Sequence, residues 1–506
     1  MGKKYCDYMD EISPDVLYER LLSFGLFSKN LPPIFDSRSF AELCKNHNPG
    51  FIDKSYDYVR FNFMRNVNIP RELGIPVPMA YEKLCMILKK NWLHIQQHFH
   101  KQTDLQDYII SRIHLQLKDD EDALFLMNYD DWRNGGSPKD DLPIGKKYIV
   151  EADISNCFQS IYTHSIPWAL IGKDEAKKNR RNSEWYNKID VACQMVKYKE
   201  THGLLIGPHA SNLISEIILT AVDNELYKKG WKYIRHIDDY MCYVKSEEQA
   251  GIFIRELSKE LEKYDLHLNY KKVCIHKLPY SGIPNWVRQL NEFDLLTSVG
   301  KVDYFIVRSF FNLAIELMNS NKENAAVLSY AIKMLSKKSL TDSAKKYCWK
   351  MGMQLCFIYP YLFPLMDDYV FKAFGTPIAD IQSFADRAFY DGHENENYEE
   401  CCYSVLFSLK YEFDICHIED SNIDVIDNCL YKLFVLLYYK KRQNKSKLDE
   451  ILQHALRLKK YDMDRHWLFT YEALEEKDLE DDWKKLKHAK ISFLKSNFQY
   501  SMNLKR

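Results

Sequence analysis

Three carboxylates stand out as residues that could do chemistry together. Asp153 closes the apolar run YIVEAD, and 85 residues later Asp238 and Asp239 sit side by side in RHIDDYMCYV. An Asp pair in a tight turn is ordinary by itself, since Asp tolerates the turn backbone and hydrogen-bonds its own amides. A third carboxylate at the end of a neighbouring strand changes the reading. The cluster would supply the hard oxygen ligands that two Mg2+ ions, or Mn2+ in their place, need at about 3.5–4 Å separation. Such a pair of ions serves attack of a hydroxyl on a nucleoside triphosphate with release of pyrophosphate. Without a metal, acids this close would repel.

Two further features lie between the aspartates. Phe158, five residues after Asp153, would leave no room under an incoming sugar for a 2′-hydroxyl, although a Phe after a strand also serves as core. In HGLLIGPHAS, Gly203 and Gly207 let backbone approach a flat ligand before a helix that Ser211 is expected to cap. The triphosphate requires cations, and Arg112, Arg71, Lys146 and Lys147 are the candidates, with Arg112 preferred on a YIISRIHLQL helix; each also reads as an ordinary surface cation. Lys177, Lys178, Arg180 and Arg181 beside Trp185 and Tyr186 combine charge with stacking surface, as single-strand binders do, or form a solvated loop. Cys401, Cys402, Cys416 and His417 fit no tetrahedral metal spacing.

Strands and helices must position these groups. Tyr148–Asp153 alternates like a strand, residues 213–226 repeat with helical period up to Gly230, and WKYIRHIDDYMCYVKS reads as a hairpin hinged on Asp238–Asp239. A helix over 249–264 and a short strand over 273–276 follow. Upstream, Pro70, Pro76 and Pro78 mark a loop feeding a helix through Leu84, Ile87, Leu88 and Ile95, and the acidic runs 119–122 and 130–131 with NGGSP mark exposed loops. Beyond about 290 strand signals fade. Stretches at 303–320, 324–337, 343–358, 424–441, 446–459 and 481–496 read as consecutive amphipathic helices, either a stacked helical-repeat array or an irregular bundle.

Composition sets the limits. At 506 residues the chain exceeds one compact domain, and 17 Gly and 16 Pro are few turn-makers, which favours long helices. The 70 basic residues balance 71 acidic ones, so bulk electrostatic nucleic-acid binding is excluded and any phosphate contact must come from a local patch. Thirteen cysteines form neither a closed disulfide set nor a zinc ribbon. With no apolar leader and no run of about 18 apolar residues, a cytoplasmic protein without a membrane span is expected. Phosphate-loop, HExxH, GxSxG and EF-hand signatures do not occur.

The order Asp153 with Phe158, the glycine loop, the Asp238–Asp239 hairpin and then LHLNYKK resembles a reverse transcriptase palm over roughly residues 60–280. By that resemblance Asp153, Asp238 and Asp239 are the catalytic, metal-binding aspartates and Phe158 the sugar-gate aromatic. Gly207 belongs to the motif under the incoming base, and Lys272 is the lysine of the following motif. IPRELGIPVPMAYEKLC, DISNCFQSIYTHSI and the long helical end are most similar to the bacterial abortive-infection (Abi) reverse transcriptases of the AbiK type, particularly the form of P2-type prophages. That group implies phage defence, a homo-oligomer (trimer or hexamer), and single-stranded DNA made from dNTPs without template, primed from and covalently attached to a tyrosine. Tyr8 and Tyr5, in a polar head expected to be mobile, are the priming candidates.

The implied architecture is a head and fingers over 1–145, a palm over 146–290 and an all-α, HEAT-like helical-repeat domain over 291–506. Three departures from templated relatives favour untemplated synthesis: Ile206 where Gln usually precedes the glycine, His236 where the hairpin usually has an aromatic, and helices in place of a primer grip and thumb. An RNA-templated reverse transcriptase and a non-catalytic nucleic-acid-binding scaffold are the alternatives.

Overall fold

A computed structural model describes residues 4–500 apart from 48, 67–68, 116–124, 128–137, 280, 296–299 and 421–422. The acidic runs 119–122 and 130–131, and residues 134–137 of the NGGSP loop, lie outside the described residues. Tyr58–Asn66 (β1) and Ile69–Pro76 (β2) pair antiparallel as a hairpin. Ile113–Leu115 (β3) and Phe125–Met127 (β4) pair as a second two-stranded ribbon. Tyr148–Asp153 (β5), Tyr233–His236 (β6), Asp239–Val244 (β7) and Cys274–Lys277 (β8) form an antiparallel sheet in the order β6-β7-β5-β8.

The β1–β2 hairpin corrects the expectation of a loop around Pro70 and Pro76. Both prolines pair near the ends of the ribbon, Pro70 opposite Met64 and Pro76 opposite Tyr58. Each strand of a two-stranded ribbon has one unpaired edge, where a residue without N–H costs no ladder bond. The expected helix follows with Pro78 in its first turn and runs to Lys90; Asn91 separates it from a second helix, Trp92–Thr103. Residues 109–115 of YIISRIHLQL are extended instead of helical: Ser111 bridges to Arg235, and the Arg112 amide donates to the Arg235 carbonyl at 2.8 Å. Pairing with the edge of β6 overrides local apolar periodicity.

Behind the four-stranded sheet lies the His209–Lys228 helix, buried along most of its length, at its polar as well as its apolar residues. It begins at His209, two residues before Ser211, with Pro208 at the N-cap, and Ser211 is buried in its first turn. The Glu247–Glu262 helix, capped by the Ser246 hydroxyl, packs against β5 and β7.

The C-terminal part is helical throughout the described residues. Tyr304–Ser320, Ala325–Leu335, Asp342–Ile358 and Lys445–Tyr461 fall where periodicity placed them, and Cys429–Arg442 and Asp481–His488 start or stop several residues away from the expected bounds. Ile378–Glu394 and Tyr398–Tyr411 are the additional long helices. Tyr398–Tyr411 is buried along most of its length, so it carries no polar face for a periodic pattern to reveal. The helices fold back on the β1–β2 hairpin and its flanks: Glu399 accepts the Met64 amide at 2.7 Å, Asp464 the Asp57 amide at 3.1 Å, Asp482 the Ile52 amide at 2.7 Å, and Asn66 accepts the Ala325 amide at 3.1 Å. None of the described helices is long and apolar enough to cross a membrane.

Candidate active site

The register of the central sheet brings the three aspartates together. Asp153, the last residue of β5, lies directly opposite Asp239, the first of β7. The hairpin tip is Ile237–Asp238, one residue earlier than the sequence suggests, and the Ile154 amide donates to the Asp238 carbonyl at 3.1 Å. Ile237 carries φ +56, a left-handed conformation that crowds a β-branched side chain. Something must hold that turn.

The holder is a buried charge network that sequence reading missed. Arg235, fully buried on β6, donates Nη1 to the Ile237 carbonyl at 2.9 Å. Its other bonds go to Glu216 (Nη1 to Oε1, 2.7 Å) and Asp223 (Nη2 to Oδ2, 2.6 Å), two turns apart on the His209–Lys228 helix. The Tyr233 hydroxyl reaches Asp223 at 2.9 Å, and the Ser111 and Tyr5 hydroxyls reach Glu216 at 2.8 and 3.0 Å. Burial pushes the Asp223 carboxyl upward, with Arg235 opposing the shift. An Arg next to a hairpin Asp pair looks like surface; the acidic i, i+7 pair inside an otherwise apolar helix was the available signal.

That network also fixes the N-terminus. Tyr5 is 3% and Tyr8 5% exposed, both in a short helix, Tyr5–Asp10, packed against Trp92–Thr103. The expected mobile polar head is therefore corrected: the aromatic rings bury more apolar surface than the surrounding charges oppose.

On the other side of the aspartates, the segment after the Glu247–Glu262 helix lies along the end of β5. The Ser155 amide donates to the His267 carbonyl at 2.8 Å, the Asn269 amide to the Asp153 carbonyl at 2.8 Å, and Lys272 Nζ to Asp153 Oδ2 at 2.8 Å. Burial, then the charge of Asp153, raises the Asp238 carboxyl; Arg71 and Lys272 pull the other way. Asp239 is pushed up to about 6 by desolvation and by Asp238 and Asp153. Arg71, on β2, and Lys272 are thus the cations whose fields reach the aspartates. Arg112 instead lies buried at the β6 edge.

Phe158 is half-buried in the Cys157–Ser160 turn, and its carbonyl accepts the Leu204 amide at 2.7 Å. At Gly203 (φ +83) a Cβ would meet the Gln159 carbonyl oxygen at 2.9 Å, so only glycine fits this approach. Gly207 has φ +125, and the preceding Ile206 carbonyl accepts the Gly74 amide of β2 at 3.0 Å, which ties the glycine loop to the β1–β2 hairpin. Ile206, Gly74 and Gln159 line a small cavity of about 150 Å³ there.

An all-oxygen donor set in which burial, and then mutual repulsion, raises two of the carboxyls is chemically suited to a hard divalent cation. Asp153, Asp238 and Asp239 would hold it. The three are not one of the groups among the described residues whose ligand atoms all lie within 4.8 Å of one another. Two other groups among the described residues are that close, Cys6–His100–Asp104 and Asp427–Asp462–His466. In the second, Arg465 already pairs with Asp427 at 2.6 Å and with Asp462 at 3.4 Å. Cys401 and Cys402 are buried in the core and Cys416 is exposed, so they do not form a thiolate set.

Residues 87–305, which span β5–β8 and all three aspartates, match the profile of a family described as Reverse transcriptase (RNA-dependent DNA polymerase). The chain carries a reverse transcriptase domain. None of the curated proteins compared with the chain matches it. Among solved structures it is similar to apo telomerase from Candida tropicalis truncated from its C-terminal domain, at 13% identity and TM-score 0.28 over 45% of this chain and 51% of that one. Telomerase from Candida albicans in complex with a TWJ fragment of telomeric RNA gives 12% and 0.31 over 81% and 66%, and apo telomerase from Candida tropicalis 11% and 0.32 over 86% and 77%. The chain spans about half the length of the first of these, 51%. The match ends at residue 305, within the Tyr304–Ser320 helix, and the helices after it lie beyond the match.

Proposed function

We propose that this chain is a phage-defence DNA polymerase that builds single-stranded DNA from dNTPs without a template, beginning on one of its own tyrosine hydroxyls. The observation that carries the polymerase reading is the register of Asp153 against Asp239 with Asp238 at the adjoining turn. In this reading the three aspartates bind two Mg2+ ions. When bound, the ions supply charge neutralisation for the triphosphate and activation of the attacking oxygen. Lys272 holds Asp153 in place, Arg71 faces the same cluster and meets the triphosphate, Phe158 excludes a 2′-hydroxyl, and Arg235 fixes the turn that carries Asp238. The new bond joins the hydroxyl oxygen to the α-phosphorus; the β,γ-pyrophosphate leaves.

Support for untemplated synthesis comes from Ile206, whose side chain cannot hydrogen-bond, and from the helical C-terminal part, which braces the β1–β2 hairpin where a templated enzyme would keep an open grip on a duplex. We divide the chain at about 145 and 290 and read the last part as a HEAT-like array that shapes the product path and the contacts of a homo-oligomer. Priming from Tyr5 or Tyr8 requires the Tyr5–Asp10 helix to leave its seat on Trp92–Thr103. The RNA-templated reading is kept because the family profile is described as RNA-dependent.

The test is incubation of purified protein with labelled dNTPs and Mg2+ but no nucleic acid. Label migrating with protein on a denaturing gel until protease is added supports the proposal, and mass spectrometry of the adduct identifies the tyrosine. Product only on addition of RNA, with a sequence complementary to it, establishes the templated alternative. If Asp238→Asn incorporates label like the parent, the polymerase reading is lost.

A further inference from the structure

A cavity of about 660 Å³ lies next to the glycine loop and takes no part in the chemistry above. It falls in the range of about 300–1,000 Å³ usual for sites that enclose a small molecule or a base. Tyr162 and Trp168 form its aromatic wall, ring centroids 5.7 Å apart at 68°. Tyr162 bridges to His202, the neighbour of Gly203, and stacks on its ring at 4.8 Å, so the wall begins four residues beyond Phe158.

One side of the cavity is cationic and built. Lys177, in the last turn of the Lys173–Lys178 helix, and Arg180, in the loop that joins it to the Trp185–Met195 helix, line it. Asn187, buried, donates its amide to the carbonyls of Asn179 and Arg181 at 2.8 and 2.9 Å, which staples that loop down. Lys199 enters from a turn in which Tyr198 and Lys199 both have positive φ, +53 and +65, held by amide bonds to the Tyr56 carbonyl at 2.7 Å and the Gln194 carbonyl at 2.8 Å. Bulky residues persist in that conformation only where surroundings impose it. The one carboxylate lining the cavity, Asp190, is buried and engaged by His164 Nδ1 and by Gln194 Nε2, so its charge is screened from the opening.

The stacking surface differs from the one the sequence suggests. Trp185 already stacks on His94 at 4.7 Å, and Tyr186 is buried. Tyr162 and Trp168 are also engaged on one side, Tyr162 by the His202 ring and Trp168 by Lys173 Nζ 4.1 Å from its ring centroid, but both line the cavity, where Lys177, Arg180 and Lys199 stand with them. Aromatic surface beside cations is the combination that recognises single strands.

We infer that this cavity is a subsite for single-stranded DNA, taking one unpaired base against Tyr162 and Trp168 while Lys177, Arg180 and Lys199 meet its backbone phosphates. The inference rests on the polymerase reading for its choice of DNA, and its test is independent of catalysis. Binding of a fluorescein-labelled thymidine oligonucleotide is measured by anisotropy in the Asp238→Asn background, without dNTPs. Lys177→Glu with Arg180→Glu, both on exposed side chains, should weaken binding at least tenfold at low salt. The slope of log affinity against log salt should become shallower by about 1.4, the value for two phosphates on a single strand. Trp168→Ala should weaken binding about tenfold with that slope unchanged. An oligonucleotide carrying 5-iodouracil should crosslink within residues 162–199. Affinity within twofold of the parent in the charge-reversed protein, or crosslinks mapping only elsewhere, overturns the subsite. Loss of incorporation when the same substitutions are made in the chain that keeps Asp238, with binding intact, does so as well.

Discussion

The palm and the helical C-terminal part both bury charge, and they treat it in opposite ways. Beneath the aspartate turn, Arg235 is matched by two carboxylates that it meets through four hydrogen bonds of 2.6–3.2 Å. In the helical part, Glu399 is 1% exposed with one oxygen on the Met64 amide, and burial drives its carboxyl up to about 8; Glu400 beside it rises to about 7. Lys440, also buried, donates to the Glu472 carbonyl oxygen at 2.8 Å and is pushed down to about 8. A paired network fixes geometry, here the backbone of Ile237 and hence the position of Asp238. An incompletely paired group instead gives up its charge and makes stability depend on pH.

The strongest way to break this comparison is Arg235→Met. Removing the cation leaves Glu216 and Asp223 buried together, and chemical denaturation should show a loss of about 3–5 kcal/mol. A smaller loss would mean the network does not bear on stability as its geometry implies. Adding Glu216→Gln and Asp223→Asn to that variant should restore most of the stability while incorporation stays low, because the Ile237 carbonyl has lost its donor.

Glu399→Gln tests the other half. The folded carboxyl binds its proton up to about pH 8 and the unfolded one only to about 4.5, so stability falls as pH rises between these values and the full cost is present above 8. The neutral variant should therefore be more stable at pH 9 by roughly 5 kcal/mol and equal to the parent near pH 4. Lys440→Met should act in the opposite window. The lowered amine costs stability below about pH 8 and the cost fades as pH rises toward 10.5, so the gain, about 1–2 kcal/mol after losing the bond to Glu472, appears at pH 7 and vanishes at high pH. Parallel melting curves across pH for either variant and its parent would refute the contrast.

The smallest expected effect sharpens the palm alone. Phe158→Ala should raise incorporation of ribonucleotides relative to deoxynucleotides about tenfold, read from paired kcat/KM values, with little change in Tm because the ring is only half-buried.

Much of the palm was legible because its signals are local. The alternation of Tyr148–Asp153, the helical period through Leu213–Leu226 and the hairpin around Asp238 each depend on neighbours in sequence, and glycine at 203 and 207 answers backbone angles that a chain can announce by residue type. The β1–β2 hairpin and the extended Ser111–Leu115 segment were not legible, since proline at a ribbon edge and an apolar strand against β6 look like a loop and a helix until a partner is present. The Tyr398–Tyr411 helix was hidden by burial on all sides.

The sequence by itself determined which residues could bind a cation and the order in which strand, glycine loop, helix and hairpin present them, because secondary-structure period and residue chemistry are properties of short segments. Only the tertiary structure decided that Asp153 faces Asp239, that Arg235 clamps the turn, that Tyr5 is held on Glu216, and that Arg71 rather than Arg112 shares the field of the aspartates. Those are contacts between groups up to 211 positions apart. Their energies depend on burial and distance, quantities that no window of sequence contains.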